Sequence, residues 1–220
     1  MILMREHFDD QLATLRQSVA HMGSQCELAI HSAVTALMED NTKLARSVVG
    51  LESETRREER EIENLCLKLL LQQQPVASDL RDISAVLKAI YDLERIGIIS
   101  ADIADIVINE HVSTASQIID IQKMADTTSR MVTNAITALN TKDEDLARKT
   151  IAMDDIVDKA FISAKQELIN SFTKDTNVEY VLNLLMIAKY FEKIGDHAVN
   201  IAAWALFAIT GVHTEEGGVN

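Results

Sequence analysis

Basic residues, aromatics, proline, glycine and cysteine are all scarce in this 220-residue chain. Lys and Arg number 21 against 34 Asp and Glu, a net charge of −13. That disfavours a nucleic-acid partner, because phosphate backbones demand clustered cations. Cations and basic protein surfaces are what an acidic chain attracts. Aromatics make up only 4%, so the core must be built from Leu, Ile, Val, Ala and Met. With one proline, Pro75, and seven glycines, the chain has few breakers and reads as long helices. Its two cysteines, Cys26 and Cys66, fall inside helical patterns without CxxC spacing. A disulfide framework is thereby disfavoured, and buried thiols of a reducing compartment are expected. Long apolar runs are missing too. The longest charge-free stretch, 198–212, is too short for a membrane span and contains Asn200. Arg5 and Glu6 follow the first four apolar residues, which is no secretory signal. A cytoplasmic protein is expected.

What is present is helical periodicity, nearly from end to end. It predicts six helices. The first spans about 5–38, and Asp40-Asn41-Thr42 ends it and caps the second, which runs to about Leu71. Gln72-Gln73-Gln74-Pro75 is a stop, with Pro75 placed in the first turn of the third helix, which runs to about Asn109. Ser113 to Ser116 is a polar link and cap; the fourth helix ends near Asn140. Thr141-Lys142-Asp143-Glu144 and Thr176-Asn177-Val178-Glu179 read as capping boxes opening the fifth and sixth helices. The tail from Gly211, with Gly217-Gly218, is expected to fray. Short links make neighbours antiparallel, so each group of three helices forms an up-down-up bundle.

The two groups repeat one another. Ala33-Val34-Thr35-Ala36-Leu37, six residues, then Leu44-Ala45-Arg46 matches Ala135-Ile136-Thr137-Ala138-Leu139, six residues, then Leu146-Ala147-Arg148. The offset is 135 − 33 = 102. Leu93-Glu94-Arg95-Ile96-Gly97 matches Phe191-Glu192-Lys193-Ile194-Gly195 at 192 − 94 = 98. Two matches in the same order point to internal duplication. The expected architecture is all-α, a tandem duplication of an antiparallel three-helix bundle. Its units are 1–112 and 113–212, followed by a flexible tail, 213–220.

The chemistry is acidic. Glu192, Asp196 and Asn200 lie four apart on the sixth helix, and Asp154 and Asp158 lie four apart on the fifth. Residues four apart share a helix face. From a turn near residue 175, both acid pairs lie 17 to 21 residues away, so an antiparallel hairpin brings them to one height. Four carboxylates at one level repel unless a cation joins them, and an all-oxygen set suits Mg, Ca, Mn or iron. The alternative is solvated acids paired with Lys159, Lys189 and Lys193. The duplication serves as a control. Asp154 and Asp158 correspond to Glu52 and Arg56; Glu192, Asp196 and Asn200 correspond to Glu94, Ile98 and Asp102. Arg56 is expected to neutralise Glu52 and Glu94, leaving the first unit a degraded site of Glu52, Glu94 and Asp102. No histidine lies three residues after a Glu, so the ExxH pairs of di-iron enzymes are absent. No GxGxxG, Walker A, GxSxG or zinc-finger spacing occurs either. His197, beside Asp196, points about 100° away and is not expected to join the cluster. Trp204 and Phe207 are expected to pack over the bundle end, the alternative being a partner surface.

At Phe191-Glu192-Lys193-Ile194-Gly195-Asp196-His197-Ala198-Val199-Asn200-Ile201-Ala202, at Leu93-Glu94-Arg95-Ile96-Gly97 and at Gln73-Gln74-Pro75-Val76-Ala77-Ser78-Asp79-Leu80-Arg81, the chain resembles the PhoU family of phosphate-signalling regulators. The likeness runs along nearly the whole chain. It implies two three-helix bundles side by side, with E/DxxxD motifs holding a metal: iron, zinc, nickel, manganese or magnesium, as one ion or several. Asp154, Asp158, Glu192 and Asp196 match that motif, and Asn200 matches a polar position that follows it. Glu52 and Glu94 match in the first unit, whereas Arg56 and Ile98 depart. Asp79 and Arg81 would brace the third helix. The resemblance further implies a non-catalytic homodimeric negative regulator. Its partners would be the phosphate ABC transporter's ATPase subunit and a sensor histidine kinase, through which it would meet the membrane. The competing readings are a carboxylate-bridged metal enzyme and a purely structural helical scaffold.

Overall fold

The chain folds into helices α1 (Ile2–Glu39), α2 (Thr42–Gln72), α3 (Ala77–Glu110), α4 (Ile121–Thr141), α5 (Glu144–Ala152), α6 (Asp154–Asn170) and α7 (Val178–Thr210). The computed structural model describes residues 2–72, 75–110, 112 and 119–212. The expected link at Ser113 to Ser116, the glutamines Gln73 and Gln74 and the tail beyond Val212 lie outside the described residues.

α1, α2 and α3 pack as one bundle, and α4, α5–α6 and α7 as a second. The bundles lie side by side, α1 against α4 and α3 against α7, so α2 and α5–α6 occupy the two outer flanks. Almost all the fully buried large side chains are aliphatic, among them Leu15, Ile30, Leu69, Ile90, Leu93 and Ile103; Phe191 is the aromatic exception. Both cysteines are free and buried. The Cys26 thiol donates to the Leu93 carbonyl at 3.2 Å, and burial pushes its pKa up. Burial, with Glu63 nearby, pushes Cys66 up to about 12. Trp204 and Phe207 meet edge to face, centroids 5.6 Å apart, with the Lys88 ammonium 6.0 Å from the indole.

The duplication is exact enough to reproduce backbone strain. Asp40 (φ 50°) and Lys142 (φ 58°), 102 apart, are the described non-glycine residues with positive φ. Each ends the first helix of its unit in the left-handed conformation. The residue after each caps the next helix. Asn41 Oδ1 accepts from the Leu44 N–H at 3.0 Å, and Asp143 Oδ1 from the Leu146 N–H at 2.9 Å. The capping residue of α5 is therefore Asp143 rather than Thr141, whose hydroxyl turns back to the Thr137 carbonyl. Likewise Asn177, not Thr176, caps α7 by accepting from the Tyr180 N–H. Asp143 and Asn177 stand directly before the first helical residue, where a side-chain oxygen reaches the free N–H groups of the first turn, whereas Thr141 still belongs to α4. Pro75 precedes α3 by two residues instead of sitting in its first turn. Buried Asp79 closes that end by accepting from the Val76 N–H at 3.1 Å.

The expected fifth helix is broken at Met153. The Met153 N–H bonds the Thr150 carbonyl and the Ile156 N–H bonds the Met153 carbonyl, a tight three-residue turn in place of the α-helical ladder. Buried Thr150 also returns its hydroxyl to the Leu146 carbonyl, a back-bond that bends helices. Asp154 and Asp155 then fill the first turn of α6, where the free N–H groups favour negative charge. α2, its counterpart, runs unbroken.

Candidate metal centre

In the second unit the acids of α6 and α7 meet where α7 carries Gly195. A Cβ built there would lie 3.5 Å from Asp154 Oδ1 and 3.5 Å from the Val157 side chain, ordinary van der Waals contact, so the first turn of α6 lies directly against α7 at this point. Asp154 Oδ1 is buried without a hydrogen-bond partner, and so is Glu192 Oε2. Burial pushes Asp154 up to about 6, and Asp158, Asp196, Glu192 and Asp155 add to the rise. Matched height along the hairpin thus brings the four expected acids into one field.

Lysines neutralise part of it. Lys189 Nζ donates to Glu192 Oε1 at 2.7 Å. Lys193 Nζ donates to Asp196 Oδ2 at 2.5 Å and stands 3.6 Å from Glu192 Oε2. Exposed Lys159 stands 3.8 Å from Asp155, outside the cluster. With the carboxylates of α7 held by ammonium groups, no three His, Cys, Asp or Glu side chains converge to ligating distance among the described residues. The donor set nevertheless fits a cation. Asp154 Oδ1 is buried with no partner and its acid already resists ionisation, while Glu192 Oε2 beside it has no hydrogen bond and only the distant Lys193 ammonium to offset it.

The first unit resolves the same geometry differently. Arg56 Nε and Nη2 donate to Glu52 Oε1 at 3.0 and 2.7 Å. Its Nη1 reaches Glu94 Oε1 at 3.4 Å, the bridge expected from the substitution of Asp158 by Arg56. Thr55 takes the place of Val157 and stands so close that a Cβ on Gly97 would lie 2.9 Å from its methyl group. Asp102 lies near this group: burial raises its pKa and Glu52 raises it further.

Asn200 is placed elsewhere. Its amide donates to Asp92 Oδ1 of α3 at 3.2 Å, and His197 Nδ1 contacts the same oxygen at 2.8 Å. The stripe Glu192-Asp196-Asn200 therefore divides between α6 and the other unit. Asp92, 5% exposed, was not among the candidates. The signal was available: it stands in line with Ala89, Ile96 and Ile99 on an apolar helix face, where an acid needs a partner.

A tandem pair of three-helix bundles, each gathering acids where its second and third rods touch, defines a class of duplicated helical protein. The PhoU domain model matches residues 19–107 and again 121–205. The chain belongs to the PhoU family. It is 30% identical to the phosphate-specific transport system accessory protein PhoU homolog of Pseudomonas aeruginosa, over 97% of this chain and 90% of that protein. The same holds for the homolog of Pseudomonas putida, over 97% and 85%. The crystal structure of PhoU from Pseudomonas aeruginosa superposes with a TM-score of 0.87 at 31% identity, covering 93% of this chain and 100% of that one. The PhoU structure from Streptococcus pneumoniae shares the fold, with a TM-score of 0.86 at 23% identity over 94% and 99%.

Proposed function

We propose that this protein is an accessory regulator of phosphate transport that works by protein contact, not by catalysis, and that its second unit holds a metal ion. Its relatives' role as transport-system accessory proteins supports the first part. A cytoplasmic site of action, restraint of the transporter through its ATPase subunit, contact with a sensor histidine kinase and a homodimeric state complete the reading. No described helix is long and apolar enough to cross a membrane, so contact with the membrane system runs through partners.

The metal proposal is carried by one observation, the buried and unpaired Asp154 oxygen held against Gly195. Asp154, Asp158, Glu192 and Asp196 would hold the ion, and it would supply positive charge that cross-links α6 to α7. Iron, zinc, manganese or magnesium are the candidates, as one ion or several. Lys189 and Lys193 compete for the same carboxylates, so binding is selective for cations that outmatch an ammonium. The first unit, closed by Arg56, is proposed to bind weakly or not at all.

Metal analysis and calorimetric titration of wild type, Asp196→Ala and Glu94→Ala, with a pull-down on the ATPase subunit and the kinase, test this reading. Wild type and Glu94→Ala are expected to hold equal metal and Asp196→Ala to lose it. Metal-free wild type would instead leave the lysine-paired arrangement as a structural scaffold, and turnover of a small substrate would indicate an enzyme.

A further inference from the structure

A second feature of the second unit lies on the opposite flank of α5–α6. The break at Met153 leaves α4 packed less extensively against α5 and α6 than α1 is against α2. The result is an open groove of about 760 Å³, lined on α4 by Lys123, Thr127, Arg130 and Asn134, and on α5–α6 by Leu146, Lys149, Met153 and Ile156. Lys123, Arg130 and Lys149 are exposed, and none of them forms an ion pair with a described residue. Two carboxylates line the rim beside them, each hydrogen-bonded to a neutral donor. Asp120 caps α4 by accepting from the Lys123 N–H, and Asp126 accepts from the Gln122 amide. Three cations against two carboxylates leave the lining net positive by one, a local reversal of sign in a chain of net charge −13.

The first unit did not inherit them. At the 102 offset Lys123, Arg130 and Lys149 correspond to His21, Leu28 and Ser47. The two units therefore diverge here in shape and in charge together. Lys123 and Arg130 stand seven residues apart on one helix, about 10 Å, which is too far to share a single phosphate group. Between the cations lies an apolar floor of Leu146, Met153 and Ile156, and Ile156 is 48% exposed. A small anion gains nothing from that floor. An amphipathic helix gains from both parts, placing acids two turns apart on Lys123 and Arg130 and aliphatic side chains on the adaptable Met153.

We propose that the α4–α5–α6 groove docks an acidic amphipathic helix from a partner protein. Long-range attraction between its carboxylates and the three cations sets register and speeds encounter, and the apolar floor holds the helix once seated.

The test is a fluorescence-anisotropy titration with a labelled amphipathic peptide of about 15 residues, carrying glutamates two turns apart beside a Leu/Ile face. A peptide with Lys for Glu is the control. Wild type is expected to bind the acidic peptide, more weakly as NaCl rises, and to ignore the basic one. Arg130→Glu with Lys149→Glu should weaken binding about tenfold or more, while Lys68→Glu on α2 should change it less than about twofold. The exposed, unpaired groove cations make the variants' melting temperatures a fair check of folding. Equal binding by the charge-reversed groove, or none by wild type, overturns the proposal. So does displacement of the peptide by inorganic phosphate at constant ionic strength, which would make the groove an anion site. Loss of self-association in the reversed variant, read by sedimentation, overturns it in favour of a second copy of this chain.

Discussion

The two units have the same backbone plan and have solved the same electrostatic problem in opposite ways. In the first, Arg56 spans Glu52 and Glu94, so the acids are neutralised from within by a guanidinium whose donors match two carboxylates at once. In the second, Asp158 stands in place of Arg56 and Asp196 in place of Ile98. Charge is added on both sides of the contact, and Lys189 and Lys193 offset only part of it. The closest helix contact diverges in step. Thr55 fills the space against Gly97, whereas Asp154 and Val157 leave ordinary clearance at Gly195. Duplication supplied one scaffold, and a handful of side chains made one unit a closed brace and left the other with an acid cluster only partly neutralised.

Breaking the contact between the units should have the largest effect. Asp92→Ala leaves His197 and Asn200 without their shared acceptor and is expected to cost about 3 kcal/mol in urea unfolding. Asp102→Asn, at the twin position of Asn200, should cost nothing, because Asp102 already sits where ionisation is unfavourable. Equal losses would mean that the clasp is not what distinguishes the two sides.

The glycines sharpen the comparison next. Gly97→Ala forces a methyl group to within 2.9 Å of Thr55 and should destabilise by about 2 kcal/mol. Gly195→Ala meets its neighbours at 3.5 Å and should be neutral or gain up to about 1 kcal/mol from helix propensity. That variant should also weaken metal uptake, since the new methyl lies against Asp154.

The pH dependence of the metal-free protein gives a smaller difference. Asp154 titrates near 6 in the fold against an ordinary 3.8, so between those values the native state holds the extra proton. Stability contributed by this residue is therefore full below about pH 4, falls as pH rises through 6, and stays low above it. Asp154→Asn removes the penalty. It should be more stable than wild type by about 1 kcal/mol at pH 7.5, after discounting for screening of a half-buried group, and equal to it at pH 4. Glu52→Gln, its twin, should show no such gain because Arg56 loses a partner. Urea melts at both pH values check the pair.

The last comparison is the most direct conversion, and it is read by metal content rather than by stability. Arg56→Asp with Ile98→Asp gives the first unit the acid pattern of the second. Its metal stoichiometry should rise relative to wild type, read by elemental analysis, and an unchanged value would separate the acid pattern from metal binding.

Much of this was legible in the residues. Scarce Pro and Gly with continuous 3.6-residue periodicity gave the helices; two matches at nearly one offset gave the duplication; equal distances from the turn at about residue 175 placed Asp154 and Asp158 opposite Glu192 and Asp196. The caps were read one or two residues early because Thr, Asn and Asp all fit a capping pattern, and only backbone geometry selects Asn177 and Asp143 among them. The break at Met153 carries no Pro or Gly to mark it, and a buried Thr150 with an i−4 back-bond is no marker either, since Thr55 makes the same bond in unbroken α2. Asn200 was grouped with the acids by its spacing, which fixes a helix face without fixing which neighbour that face meets.

The sequence by itself determined the rods, their duplication and the height at which the acids stand, because each follows from spacing along one helix or one hairpin. The tertiary structure alone decided how each rod is rotated against its neighbours. That rotation hands Asn200 and His197 to Asp92, presses Asp154 onto Gly195 without a partner, and opens a basic groove beside Met153. It is set by packing between helices distant in the chain, where a residue's partner depends on the whole assembled core.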